Sequence, residues 1–220
     1  MVNSKIKKLL ALITTCIVVF AGSSVAFADS WVQDPYDSDT WYYWDNNGYC
    51  YTGWKYINGD WYFFNLNTGK MQTGWLLEDI GYTPRWYYLG SDGAMLSSEW
   101  EKINGKWYYF MSSGVMATGW LQNSGKTYYL DDNSGAMVTG WKKIGRNWYY
   151  FDNSGAMVHD EWLYSGNEWY YLNGSGAMIT GWHVFDKTDW HYLGVSSEGE
   201  FYTNAIACYF DGSGAWDSNR

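Results

Sequence analysis

The chain has 220 residues, a formal charge of −9 and 22% aromatic residues, among them 17 Trp, all beyond position 30. An acidic balance argues against nucleic acid and anionic lipid as partners drawn by charge. So many rings exceed what one core of this size uses, which leaves part of them at the surface as a recognition face.

The first 28 residues differ in character from the rest. Lys5, Lys7 and Lys8 form a basic start, Leu9 to Gly22 an apolar run, and Ala26-Phe27-Ala28 a small-residue exit. Together they read as a signal peptide over residues 1–28, cut before Asp29. The apolar run is short for a membrane span, so no membrane insertion is expected after cleavage. A lipoprotein reading at Cys16 fits poorly, because Thr15 stands where a Gly, Ala or Ser is expected. Cleavage removes three lysines and no acid, leaving 11 basic and 23 acidic residues and a charge of −12. That charge suits a cationic ligand. Residues 29–40 read as a short N-terminal linker.

From residue 41 a repeat takes over. Trp54, Trp75, Trp100, Trp120, Trp141, Trp162 and Trp182 recur every 20 to 25 residues, most of them after a Gly. After each comes a turn, then Trp-Tyr-Tyr-Phe or a near copy, then Ser-Gly-Ala-Met or a near copy. Self-similarity at this period signals a repeat architecture. Asn104-Gly105 is a strong hairpin signal, because a two-residue type I′ turn needs positive φ at both residues. It predicts Ile103 opposite Lys106, Lys102 opposite Trp107, Glu101 opposite Tyr108 and Trp100 opposite Tyr109. Side chains alternate along a strand, so Trp100, Trp107 and Tyr109 emerge on one side of the ribbon, and Ile103, Tyr108 and Phe110 on the other. Asn58-Gly59, Gly145-Arg146 and Gly166-Asn167 repeat the pattern. Phe64, Leu89, Phe110, Leu130, Phe151, Leu172 and Leu193 close the hairpins and read as the spine that packs one repeat on the next.

A lone hairpin is marginal in water, so the units must stack to bury their apolar sides. The expected fold is all-β, a β-solenoid of stacked hairpins of about 20 residues, with its array over residues 41–182. Trp41-Tyr42-Tyr43-Trp44 is expected to lack a preceding strand. Residues 183–220 drift from the pattern as a degenerate terminal repeat or cap, and are the candidate segment for homodimer or partner contact. Cys50 stands where other repeats carry Met and reads as a small buried apolar residue. A bond from Cys50 to Cys208 would join opposite ends of the array, which disulfide geometry disfavours.

Over about residues 41–216 the text resembles the choline-binding, or cell-wall-binding, repeats of Gram-positive bacterial surface proteins. The resemblance implies choline sites between consecutive hairpins, each lined by three aromatics and an apolar fourth wall, often Met. Carried over by position, the strand-one Trp would be Trp54, Trp75, Trp100, Trp120, Trp141, Trp162 and Trp182. The strand-two Trp would be Trp61, Trp86, Trp107, Trp148, Trp169 and Trp190. The third wall would be Tyr88, Tyr109, Tyr129, Tyr150, Tyr171 or Tyr192, supplied by the next hairpin. The fourth would be Met71, Met95, Met116, Met137, Met157 and Met178. Thr127 replaces a strand-two Trp, so its site should be weak or empty. A four-residue insertion between Trp75 and Trp86 is expected to distort that site, and His191 interrupts the last Trp-Tyr-Tyr run.

The residues agree with such a ligand. A quaternary ammonium has no N–H to donate and cannot lose its charge, whereas π faces attract it and cover its methyl groups. Each contact is worth roughly 0.5–2 kcal/mol, and several sites facing a polymer of choline, such as teichoic or lipoteichoic acid, raise avidity by ~10²–10⁴. These readings imply a secreted wall-binding or cell-surface module. The rival ligand is glucan, since flat Trp faces stack on sugar rings and Lys126-Thr127-Tyr128-Tyr129 resembles the repeats of glucan-binding proteins. An enzyme is not expected: residues 29–40 are too few for an active site, and His159, His183 and His191 have no partner spacing for a metal or a triad. No cofactor or metal is expected.

Overall fold

The computed structural model describes residues 28–79, 84–166, 168–186 and 189–193, with backbone alone for 168 and 181–193. Most of the signal segment, Cys208 and residues 194–220 lie outside the described residues, as do residues 80–83 of the insertion. So do the side chains of Trp182, His183, Trp190, His191, Tyr192 and Leu193. Among the described residues no helix is long and apolar enough to cross a membrane.

The described chain is all-β, built of hairpins about 20 residues apart. Its strands are β1 (Ser30–Gln33), β2 (Trp41–Trp44), β3 (Gly53–Ile57), β4 (Asp60–Phe64), β5 (Gly74–Glu78), β6 (Arg85–Leu89), β7 (Glu99–Ile103) and β8 (Lys106–Phe110). There follow β9 (Gly119–Asn123), β10 (Lys126–Leu130), β11 (Gly140–Ile144), β12 (Asn147–Phe151), β13 (Glu161–Ser165), β14 (Glu168–Leu172), β15 (Gly181–Asp186) and β16 (Asp189–Leu193). Each odd strand pairs with the next even one as a two-stranded sheet. In β7–β8 the partners are Trp100↔Tyr109, Glu101↔Tyr108, Lys102↔Trp107 and Ile103↔Lys106, the register that a two-residue turn demands. Asn104 and Gly105 have φ of 50° and 84°, as type I′ requires. At Gly145-Arg146 positive φ is confined to Gly145, at 61°, the type II′ alternative.

The described residues divide into two compact units, one of those up to 55 with 64–71 and one of 56–63 with those from 72 onward. In the first unit, residues 29–40 are not simply a linker. Ser30–Gln33 forms β1, antiparallel to β2, with Trp31 opposite Tyr43. Trp41–Trp44 therefore has the preceding strand that its sequence did not announce. No Asn-Gly marks this hairpin. Its longer loop is closed by Asp34 and Asp37, whose carboxylates accept from the Tyr36 and Asp39 N–H groups. Trp31 then packs on Tyr43 and Phe64 at ring distances of 5.1 and 5.8 Å.

In the second unit consecutive hairpins stack as in a β-solenoid. Leu89, Phe110, Leu130, Phe151 and Leu172 are fully buried, so the closing residues of these hairpins form the spine of this unit; Phe64 is fully buried within the first unit. Burying each contributes roughly 1.5–3 kcal/mol. A backbone bond joins successive repeats: Met95, Met116, Met137 and Met178 donate to the carbonyls of Trp61, Trp86, Trp107 and Trp148, each at 2.8 Å. Before Trp100 and Trp162 the chain carries one residue more than before Trp120 or Trp141. The extra residue is absorbed at Ser98 and Asp160, both at φ of 56°, whereas Gly119 and Gly140 make the bend elsewhere.

Candidate functional site

Alternation puts both Trp of a hairpin on one side of the ribbon. The strand-one Trp is drawn into the seam between hairpins. Trp75 lies edge-on to Tyr88 of its own hairpin at 5.2 Å and to Tyr108 of the next at 5.0 Å. Trp100 stands likewise between Tyr109 and Tyr128, Trp120 between Tyr129 and Tyr149, and Trp141 between Tyr150 and Tyr170. Trp162 meets Tyr171 at 5.3 Å. Such edge-to-face pairs favour each other through ring quadrupoles beyond simple area burial.

Two Tyr thus meet each of Trp75, Trp100, Trp120 and Trp141. Tyr88, Tyr109, Tyr129 and Tyr150 face the strand-one Trp of their own hairpin. The ring that the next hairpin brings against it is the other Tyr of the pair: Tyr108, Tyr128, Tyr149 or Tyr170. The cause is the alternation of the strand, which points that first Tyr to the opposite side of its ribbon and so toward the preceding hairpin. Tyr129 is moreover buried, with its hydroxyl donating to Asp132. Burial first, and then that carboxylate, push its phenol up to about 12. Tyr109 instead accepts from Asn123 Nδ2 of the next hairpin at 3.1 Å.

Open rings come from both strands: strand-one Trp75, Trp120 and Trp162 are 37%, 45% and 38% exposed. Trp61, Trp86, Trp107 and Trp169 are 43%, 38%, 42% and 52% exposed, which is high for the largest side chain. Trp75 and Trp86 sit T-shaped at 6.0 Å. With Tyr88 and Tyr108 they form an aromatic cluster across two hairpins. The insertion after β5 leaves this hairpin's pairing intact from Trp75↔Tyr88 to Glu78↔Arg85, because the extra residues lie between Glu78 and Arg85 in the sequence. Trp148 is half-buried, and so is Trp54 in the first unit. At β9–β10 the missing ring is replaced by a polar pair, Gln122 Nε2 donating to Thr127 Oγ1 at 2.7 Å.

The methionines have a structural task that their sequence position did not reveal. A Cβ on Gly114, Gly135, Gly155 or Gly176 would overlap the Sδ of Met95, Met116, Met137 or Met157 respectively. Each thioether thus lies on the turn glycine of the following repeat. In the first unit Cys50 Sγ occupies the same place against Gly69. Cys50 is half-buried rather than fully buried, and desolvation raises its thiol pKa. Elsewhere Asp131 is held well below the usual carboxylate range, first by Lys142 at 2.9 Å and then by Ser134. His159 Nδ1 lies 3.3 Å from Asp160.

A family model described as a choline-binding repeat matches residues 51–100, 98–140 and 138–180. Among solved structures, choline binding protein F from Streptococcus pneumoniae is 42% identical, with a TM-score of 0.64, covering 81% of this chain and 61% of that one. The same protein in complex with ipratropium matches with a TM-score of 0.63 and 39% identity, covering 81% of this chain and 63% of that one. CbpJ from Streptococcus pneumoniae TIGR4 is 35% identical, with a TM-score of 0.65, covering 81% and 62%. The choline-binding domain of CbpL from Streptococcus pneumoniae is 28% identical, with a TM-score of 0.56, covering 88% and 100%. This chain thus spans about three fifths of the length of the first two of these proteins. No curated protein sequence matches. Repeated hairpins, inter-hairpin aromatic clusters and three consecutive model matches agree: the chain belongs to the choline-binding repeat family.

Proposed function

We propose that the chain is a secreted, non-catalytic module that docks on the choline of teichoic or lipoteichoic acid at the bacterial surface. The observation that carries this reading is the recurrence of exposed indoles on the two-Trp side of the ribbons: Trp75 with Trp86, Trp107, Trp120, and Trp162 with Trp169. Such a corner offers π faces and apolar edges with few hydrogen-bonding groups, which suits a methylated cation that can neither donate nor accept. The likeness to a protein crystallised with ipratropium, a choline analogue, supports the same ligand class. In this reading the choline walls are the strand-one and strand-two Trp named above, with Tyr88, Tyr109, Tyr150 and Tyr171 half-buried beside them. Several weak sites on one chain then act together on a polymer.

The test is a choline titration followed by intrinsic Trp fluorescence and repeated with glucan oligomers. Saturable quenching or enhancement by choline, with no response to glucan, supports the reading. A response to glucan alone contradicts it and favours the carbohydrate alternative, for which the Gln122–Thr127 pair beside exposed Trp120 is the most suitable surface.

A further inference from the structure

We propose that Lys102 and Lys143 make their hairpins selective for phosphocholine over free choline, an inference that rests on the choline sites proposed above. The ribbon side that carries both Trp and the Tyr opposite the first carries one more residue, directly across from the strand-two position. It is Leu77 opposite Trp86, Lys102 opposite Trp107, Gln122 opposite Thr127, Lys143 opposite Trp148 and Tyr164 opposite Trp169. Tyr164 packs on Trp169 at 5.1 Å, and Tyr56 on Trp61 at 5.3 Å. A Tyr or Leu at this place extends the apolar wall. A Lys does something else.

Lys102 Nζ lies over the face of Trp107, 5.9 Å from the ring centroid, at the outer reach of a cation–π contact. A trimethylammonium group needs that same face. Two cations repel, and the one on a flexible four-carbon stem yields. Unlike choline's nitrogen, the displaced ammonium has three N–H donors to satisfy. Phosphocholine brings an acceptor with it. Its phosphate is joined to the choline oxygen and lies beside the indole when the trimethylammonium is seated. The lysine then exchanges the ring for a charge-assisted hydrogen bond. Free choline offers only a neutral hydroxyl oxygen, a weaker acceptor than a phosphate, so the lysine mainly competes with it. The neighbouring charges do not share this place: Glu101 and Lys106 pair with Tyr108 and Ile103, so both point to the other side of the ribbon. Lys142 is likewise on the other side and is tied to Asp131.

The experiment is calorimetric titration of the full chain and of a Lys102→Met/Lys143→Met variant, with choline chloride and phosphocholine in separate runs at low salt. The ratio of phosphocholine to choline affinity should fall by about two- to fivefold in the variant, with affinity for choline unchanged or higher. The difference should shrink as salt is raised. Lys102→Arg/Lys143→Arg should keep the ratio, and so should Lys106→Met. An unchanged ratio in the Met variant, or an equal fall in Lys106→Met, overturns the proposal. Wild-type chain that takes up neither ligand overturns the choline sites themselves, whereas binding of both at a ratio the two lysines do not influence overturns only their role.

Discussion

The backbone N–H of Met137 donates to the carbonyl of Trp107, 2.8 Å away and one hairpin earlier. The side chain of the same Met137 lies on Gly155 of the following repeat. One residue therefore ties three successive repeats, by backbone in one direction and by thioether in the other. The strand-two Trp whose carbonyl is held is also the most open ring of its hairpin. The bond that fixes the stack thus fixes the position of the binding face.

Gly135→Ala should be destabilising. The new Cβ meets Sδ and Cε of Met116, and Gly135 has a φ of 70°, which L residues rarely adopt. We expect a loss of about 1–3 kcal/mol, seen as a thermal midpoint lower by about 2–4 °C for each kcal/mol in a chain of this size. Adding Met116→Ala should recover the steric part and leave the backbone part. A double variant whose loss is the plain sum of the two single losses would show that the thioether and the glycine do not interact.

Phe110→Ala and Trp107→Ala should separate the spine from the site. Phe110 is fully buried, and its truncation should cost about 3–5 kcal/mol. Trp107 is 42% exposed; its loss should cost the fold about 1 kcal/mol or less while weakening choline binding at its hairpin by about two- to thirtyfold. Unfolding curves and choline titrations on both variants check this. The assignment fails if Trp107→Ala melts the chain as badly as Phe110→Ala, or leaves choline uptake untouched.

These contrasts follow what the sequence could and could not say. The Asn-Gly turn set the register of β7–β8 residue by residue, because a two-residue hairpin leaves no freedom once both φ values are positive. The spine was legible for the same reason, since Phe110 closes that hairpin. β1 was not legible: its loop is closed by Asp34 and Asp37 side chains rather than by a two-residue turn, and Trp31 carries no preceding Gly. Pairing within a ribbon can be counted along a sequence, but contact between ribbons depends on the stacking geometry. That is why the contact of Tyr128 with Trp100 is not legible in the sequence. The Met–Gly pegs were hidden likewise, because Met137 and Gly155 meet only after the hairpins stack.

Thr127→Trp should add a site. Here β9–β10 carries Trp120 and Tyr129 on the usual side of its ribbon but a Gln122–Thr127 hydrogen bond in place of the second ring. Restoring that ring should raise the number of cholines bound per chain by one, read as the stoichiometry of a calorimetric titration. Unchanged stoichiometry in a folded variant would mean that the strand-two ring is not what completes a site.

Tyr129 should mark the alkaline limit of the fold. Its phenol is raised from 10 to about 12, first by burial and then by Asp132. A raised folded value contributes stability that is fully present below pH 10 and is lost as pH rises through about 12. Tyr129→Phe has no proton to lose at this position, so its thermal midpoint should fall less steeply than the wild type's over that interval. Parallel curves would assign the alkaline transition to other groups.

Choline binding by this chain requires that stacked ribbons hold indole and phenol rings as open corners for a methylated cation. Crystals of the chain soaked in choline test it most directly. The account predicts trimethylammonium density within about 6 Å of the strand-two rings, at Trp86 and Trp107 among others. Bare seams, with choline density only on surfaces away from these rings, would contradict it.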